Sequence, residues 1–396
     1  MIRSKRIKID LSYLRPNSCF VYPIYSLKGE KIFDARVILT QERLKMITEK
    51  YGNIVFREWE NIPDYRKKIA FCRSREIMEE VSATQKLSEN SFLQAEDIIE
   101  AILDDLTTSE IEVVNLLKDL KDYDEYIYNH SVNVGILSAI FAIKLGLFSL
   151  DEIRSLTLAA YLHDIGEMKI DKQLLEKEGE LDASEMKEIE KHPQLSYEMI
   201  KCINRTNRII EQSVLFHHER YNNQGYYMYP YVNLPLYPKI ISICDIYDSL
   251  TSKRPYRDAI SPSHALKSIV NSSNGLFDYN LVSNFINKIG PILNNAQVFY
   301  STNEICELNT KELAIIVSLG IEDLLKPRVL VFCRLTKENG RLVAQYYDHP
   351  LDVNLNDDPS RIMTKILDNQ MQINAIKERL PPYNNHPNVD MERISC

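Results

Sequence analysis

A carboxylate set inside an apolar helical run is the feature that most narrows the folds open to this chain. Asp245 stands in Ile240-Ile-Ser-Ile-Cys-Asp-Ile246, and His163-Asp164 follows the apolar run Leu156-Thr-Leu-Ala-Ala-Tyr-Leu162. An ionised carboxylate buried alone costs several kcal/mol or gives up its charge. Both aspartates therefore need partners in an interior, and a metal ion is one such partner. Five of the eight histidines, His130, His163, His192, His217 and His218, lie in the same part of the chain, on different helices of one expected bundle.

Helical signals run from 121 to 293. Val134, Leu137, Phe141 and Leu145 form an apolar stripe in register with His130. Gly146 is placed to end that helix, Asp182-Ala-Ser-Glu185 has the form of a capping box, and Ser261-Pro262 sets an N-cap before a first-turn proline. The pattern predicts about seven helices packed on one another. Residues 1–62 read as a small α+β accessory domain, with strands at Cys19–Tyr22, Lys31–Leu39 and Asn53–Arg57 and a helix from Thr40 to Tyr51. Pro63 and the charged run Asp64-Tyr-Arg-Lys-Lys68 mark a boundary. Residues 63–120 read as a helical linker, with Ile98, Ile99, Ile102, Leu103 and Leu106 in helical register. Residues 294–378 change to short strand-like runs, Val298–Tyr300, Glu304–Leu308, Leu313–Leu319, Arg328–Leu335 and Leu342–Tyr347, which predict a small β-rich C-terminal domain. Residues 379–396 read as a flexible tail. The expected fold class is mainly α, a helical bundle core with a small N-terminal α+β unit and a small C-terminal antiparallel β-unit.

Composition removes several function classes. The 396 residues suffice for two or three domains, and a net charge of -8 argues against a general nucleic-acid-binding surface. Cys19, Cys72, Cys202, Cys244, Cys306, Cys333 and Cys396 are scattered, with no C-x-x-C pair, which fits reduced thiols better than a disulfide framework. The N-terminus is basic without the apolar core of a signal peptide. The longest apolar candidate, Gly135–Leu147, is cut by Ser138 and Lys144, short of a membrane span. A cytoplasmic protein without a membrane span is the expectation.

Imidazole and carboxylate together suit iron, manganese or zinc, and six or more such ligands suit two ions rather than one. Two ions roughly 3.5–4 Å apart can brace both oxygens of an in-line phosphoryl displacement. A single histidine on a helix is ordinarily a hydrogen-bonded core or surface residue, and His264, His349 and His386 keep that reading. The His217-His218-Glu219 triplet, His163-Asp164 and the His192-Pro193 helix start are harder to dismiss, although spacing alone leaves a core role and a metal role both open.

Taken in order, His163-Asp-Ile-Gly166, His192-Pro193, His217-His-Glu-Arg-Tyr-Asn-Asn-Gln-Gly-Tyr226, Asp245-Ile-Tyr-Asp-Ser-Leu-Thr-Ser252 and Arg254-Pro-Tyr-Arg257 resemble the motifs of the HD-GYP phosphodiesterases, a branch of the HD metal-dependent phosphohydrolases. The resemblance covers 121–293, with Phe277-Asp278 as a late element. It implies an HD-type helical catalytic domain that hydrolyses cyclic di-GMP to pGpG or GMP at a centre of two divalent metal ions, iron or manganese. The implied ligands are His130, His163, Asp164, His192, His217, His218 and Asp245, with Asp164 bridging. Gly225 and Tyr226 are implied to shape the substrate pocket, and Arg254 and Arg257 to meet phosphate or guanine.

The chain departs from the family pattern in its substrate-facing positions. Glu167 stands where the family has a lysine, Asn222 and Asn223 replace Asp-Gly, and Tyr227 replaces proline. Asp164 and Glu167 are the catalytic candidates, and Glu219 is expected to orient a ligand histidine or act as a cap. Tyr126 occupies the position that carries glutamate in members with a third metal, which favours two ions. The sequence-level conclusion is a cyclic di-GMP phosphodiesterase. The alternative is a weak or inactive member that binds cyclic di-GMP or a signalling protein, and a third reading keeps the chemistry on another nucleotide. A homodimer is compatible with each.

Overall fold

The computed structural model describes residues 7–10, 18–20, 24–26, 31–33, 37–52, 54–57, 62–108, 126–177, 179–253, 258–294, 297–320, 322–338, 341–368, 373–374 and 376. They divide into two units, 1–66 and 67–396. Arg254, Arg257 and the tail from 379 lie outside the described residues.

The first unit contains strands β1 (Ile7–Asp10), β2 (Ser18–Phe20), β3 (Ile24–Tyr25), β4 (Lys31–Phe33) and β5 (Val37–Leu39), helix α1 (Gln41–Tyr51) and strand β6 (Ile54–Arg57). Its strands form an antiparallel sheet in the order β1-β6-β3-β4 and a separate β2-β5 pair. Thr40 caps α1 by accepting from the Arg43 N–H, and Gly52 ends it at φ +79, a left-handed value that glycine adopts without strain. Ile24 and Ile47 form its small core, with Leu44 and Phe33 packed against them.

Helix α2 (Ile62–Thr84) runs across the boundary between the two units, and it and α3 (Glu89–Thr108) precede the bundle. The bundle comprises α4 (Tyr126–Leu145), α5 (Leu150–Leu162), a 3-10 turn at Ile165–Lys169, α6 (Lys172–Leu175), α7 (Ala183–Ile189), α8 (His192–Lys201), α9 (Arg208–Phe216), α10 (Leu236–Thr251), α11 (Pro262–Asn271), α12 (Tyr279–Lys288) and α13 (Gly290–Leu293). Seven of these helices are nine residues or longer, and α6, α7 and α13 are short additions to the expected set. The central helix is α4. Every residue from Asn129 to Ala142 is buried, so the helix is enclosed all round and not merely along the stripe read from the sequence. Ser149 and Asp182 form complete capping boxes, and Ser261 caps α11 ahead of Pro262.

The C-terminal part is one antiparallel sheet of β7 (Ile305–Leu308), β8 (Glu312–Ser318), β9 (Arg328–Glu338), β10 (Arg341–Asn354) and β11 (Met363–Ile366), in the order β10-β9-β8-β7-β11. On β8, Leu313, Ile315 and Val317 pack with Leu330 and Phe332, while Ala314 and Ile316 join the core that includes the helices. Strand alternation explains this division. Val298–Tyr300 is not a strand: Phe299 and Tyr300 are buried core residues, and Met363–Ile366 supplies the fifth strand. The Asn271 amide bonds both the N–H and the C=O of Ile366, tying α11 to the sheet edge. Among the described residues no helix is long and apolar enough to cross a membrane. Cys202, Cys244, Cys306 and Cys333 are free thiols.

A partly buried ion pair pins the sheet. Arg361 clasps Glu312 with Nε–Oε2 at 2.7 Å and Nη2–Oε1 at 3.1 Å. Burial pushes the Glu312 carboxyl up, but Arg361, Thr310 and Tyr347 outweigh it and hold it below the ordinary range. A depressed folded pKa stabilises the fold above the unfolded carboxylate value, and the contribution disappears as pH falls through the folded value. Arg361→Leu is expected to cost about 2 kcal/mol, less than the ~3–5 kcal/mol of a fully buried pair. Its denaturant midpoint should show a smaller acid-dependent fall than that of the wild type. Identical pH profiles for the two proteins would refute this role.

Candidate metal centre

Three helix ends and two helix interiors deliver the site. Asp164 follows α5 directly, and His163 is the C-cap of that helix. His192 begins α8, His217 is the C-cap of α9, and His218 follows it. His130 projects from α4 and Asp245 from α10. The same device orients three of the rings. His163 Nδ1 donates to Ala160 O at 2.7 Å, His192 Nδ1 to Ile189 O at 2.8 Å, and His217 Nδ1 to Val214 O at 2.7 Å. Each target is the carbonyl three residues earlier, one of the groups that a helix leaves unpaired at its C-terminus. With a proton on Nδ1, each ring turns Nε2 to the interior, where the neutral form offers a lone pair. Burial lowers His192, but the adjoining Asp164 outweighs it and raises the ring to about 9.

Those Nε2 atoms surround one carboxylate. Asp164 Oδ1 lies 3.1 Å from His192 Nε2 and 3.5 Å from His217 Nε2, whereas Oδ2 lies 3.2 Å from His163 Nε2 and 3.6 Å from His130 Nε2. Asp164, His192, His217 and His218 form one potential ligand set, with their ligand atoms within 4.8 Å of one another. His130, His163 and Asp164 form another. Asp245 Oδ1 adjoins the latter, 3.3 Å from His130 Nε2. All seven residues expected as ligands therefore meet in one place.

The donor set fits metal ions. His163 Nε2 and Asp164 Oδ1 are buried with no aligned hydrogen-bond partner, which polar atoms in an interior rarely tolerate. His192 Nε2 is 3.3 Å from His217 Nε2 and 3.1 Å from His218 Nε2, a crowding of nitrogens that a cation relieves. Burial pushes His217 down to about 4 and, together with the nearby His217 and His192, pushes His218 well below its ordinary range. Both rings are thus neutral at pH 7, the form that binds a cation. Burial alone would raise both aspartates. The adjoining His163, His130 and His192 rings hold Asp164 well below the carboxylate range, and His130 holds Asp245 at about 2. Glu167, on the 3-10 turn after Asp164, is pushed up to about 7 by burial and then by the Asp164 charge.

Glycines allow two close approaches. A Cβ on Gly166 would stand 2.3 Å from His192 O and 2.5 Å from Ser196 N, so only glycine lets the turn pack on the start of α8. The Gly166 N–H donates to Ser196 Oγ, which in turn donates to His163 O. A Cβ on Gly225 would stand 2.5 Å from Glu219 Cα. Glu219 is buried and accepts from the Tyr227 and Tyr229 N–H groups, both at 2.8 Å, so it shapes this loop rather than orienting a ligand histidine. Asn222 and Asn223 turn the chain despite replacing Asp-Gly. Asn222 Oδ1 accepts from the Gln224 N–H, and Asn223 takes φ +58, a region asparagine tolerates, while accepting from the Tyr231 N–H. Tyr226 stacks on His218 with ring centres 4.3 Å apart at 31°. Phe277 is buried, and Asp278 caps α12 and accepts from Tyr231 Oη.

Two contributors escaped the reading of the sequence. Asp248, one turn after Asp245, accepts from His130 Nδ1 at 2.8 Å and from Asn133 Nδ2 at 2.8 Å. Its i,i+3 spacing from Asp245, matched by that of His130 and Asn133 on α4, was the available signal. Arg220 was the other: its Nη2 donates to His218 Nδ1 at 3.0 Å, and its Nη1 reaches Ser242 Oγ and His217 O. Asp248→Ala should weaken metal binding roughly 10–100-fold, the usual cost of losing a group that orients a ligand. A manganese titration of the folded variant checks this, and wild-type affinity would remove Asp248 from the centre.

Comparison with known proteins agrees with this geometry. Residues 113–281 match the HD domain family. The chain is 30% identical over 235 residues, 58% of its length, to a cyclic di-GMP phosphodiesterase of Pseudomonas aeruginosa. It is 35% identical over 149 residues, 36% of its length, to a cyclic di-GMP phosphodiesterase response regulator of Xanthomonas campestris pv. campestris. It is 27% identical over 249 residues, 62% of its length, to a cyclic di-GMP phosphodiesterase of Thermotoga maritima. These matches cover 54%, 38% and 61% of the three relatives' own lengths. Residues 113–281 thus carry the similarity to the HD domain family, and the chain spans about half the length of the first of these relatives.

Proposed function

We propose that this chain is a metal-dependent phosphodiesterase that opens cyclic di-GMP to pGpG or GMP and so lowers the level of that messenger. The observation that carries the proposal is Asp164, with one carboxylate oxygen facing each of two imidazole groups. The names of the three relatives support the substrate. They also weigh against an inactive binding module.

His130, His163, Asp164 and Asp245 would hold one divalent ion, and Asp164, His192, His217 and His218 the other, with iron or manganese the metals proposed. Such a pair supplies positive charge for the scissile phosphate and lowers the pKa of water. The chain's own groups do the rest. Asp248, Ala160 O, Ile189 O and Val214 O fix four ring orientations before substrate arrives, which avoids reorganisation during reaction. Tyr226 and the loop held by Glu219 border the His218 side, where an apolar ring face suits a purine. Glu167 shares the electrostatic field of Asp164, His192, His130 and His163. We assign it the proton that the departing 3′-oxygen needs. Arg254 and Arg257 are proposed phosphate or guanine contacts, and solution as a cytoplasmic monomer or homodimer is compatible with this reading.

Asp164→Ala should lose bound metal and cyclic di-GMP turnover together, measured on one anaerobic preparation. Turnover that survives in the metal-free variant would end the proposal. Glu167→Gln should keep its metal and lose ~10²–10⁴-fold in kcat, the range for a missing general acid. A rise in kcat would instead identify Glu167 as a charge that repels substrate.

A further inference from the structure

His218 differs from the other four histidines of the cage. His163, His192 and His217 each direct Nδ1 at a carbonyl oxygen, and His130 directs it at the Asp248 carboxylate, so all four carry a proton on Nδ1. His218 Nδ1 instead faces Arg220 Nη2 at 3.0 Å. A guanidinium has only donors, so this nitrogen must be the acceptor. A neutral imidazole has one N–H, and here it must sit on Nε2, the atom that points at His192 Nε2 at 3.1 Å. That is the wrong tautomer for an Nε2 metal ligand.

The arginine is not free to accommodate the other tautomer. Its Nη1 is occupied by His217 O, Glu219 O and Ser242 Oγ. The Tyr226 ring lies against the His218 ring, with centres 4.3 Å apart. The ring thus contacts an aromatic ring and a donor-only side chain, within the ligand set that surrounds Asp164 Oδ1.

We propose that Arg220 is a positioning residue that keeps His218 from serving as a ligand until their hydrogen bond is given up, so that the metal site on the Asp164 Oδ1 side is the weaker of the two. The idea rests on the proposed metal centre only for its second half, because the tautomer is a property of the metal-free protein.

Two measurements decide it. Nitrogen NMR of histidine-labelled, metal-free protein should show His218 with its proton on Nε2 and none on Nδ1, and the other four rings each with a proton on Nδ1. A proton on His218 Nδ1 would overturn the inference, whatever the fate of the catalytic proposal. Manganese titration followed by electron paramagnetic resonance should then resolve two unequal sites. Arg220→Gln offers a carbonyl oxygen to Nδ1–H, and should tighten the weaker site about tenfold, in line with the usual effect of groups that orient ligands. Arg220→Lys keeps a donor at that place and should bring no tightening. Equal behaviour of the two variants, or no gain in the glutamine variant, refutes the role. Should either variant misfold, the wild-type tautomer decides alone.

Discussion

One carboxylate holds the helical bundle of this molecule to a single arrangement. Asp164 is largely enclosed, and each of its oxygens addresses a different pair of imidazoles. Burying such an anion is unfavourable unless positive charge surrounds it. Five segments far apart in sequence must converge before that requirement is met, so the local electrostatic problem at one residue dictates the packing of α4, α5, α8, α9 and α10.

The scaffold meets this demand with ordinary means. The central α4 is enclosed on every side, which brings His130 to the interior without special geometry. Gly166 lets the turn after Asp164 lie directly on the start of α8, where even a methyl group would strike the backbone. The substrate-side loop depends on Glu219, whose two oxygens accept from two backbone N–H groups while Gly225 lies against it. Changes from the family motif at Asn222 and Asn223 are accommodated because asparagine supplies both a side-chain acceptor and a tolerated left-handed conformation.

Much of this was legible before the fold. Apolar runs interrupted by His-Asp or by a lone aspartate mark interior charge, and capping residues such as Asp182 and Ser261 mark helix starts that the structure retains. What could not be read depends on tertiary geometry. Asp248 looks like any helical carboxylate until α4 is seen to cross in front of it. Arg220 offers five donors, and nothing local says that one will meet a ring nitrogen of His218. Met363–Ile366 lacks the alternation of a strand and is one only because β7 offers it an edge. Val298–Tyr300 has strand-like composition but buries its aromatic rings in the helical core instead.

Three of the cage histidines spend their Nδ1 proton on a carbonyl of the preceding turn. Those carbonyls are available only while the turn is wound. Fraying of a single helix terminus therefore does more than loosen the chain: it releases the imidazole to exchange its proton between ring nitrogens and to rotate. Secondary structure and metal affinity are in this sense one equilibrium, and a chelator that strips the centre should find its way in through the helix ends.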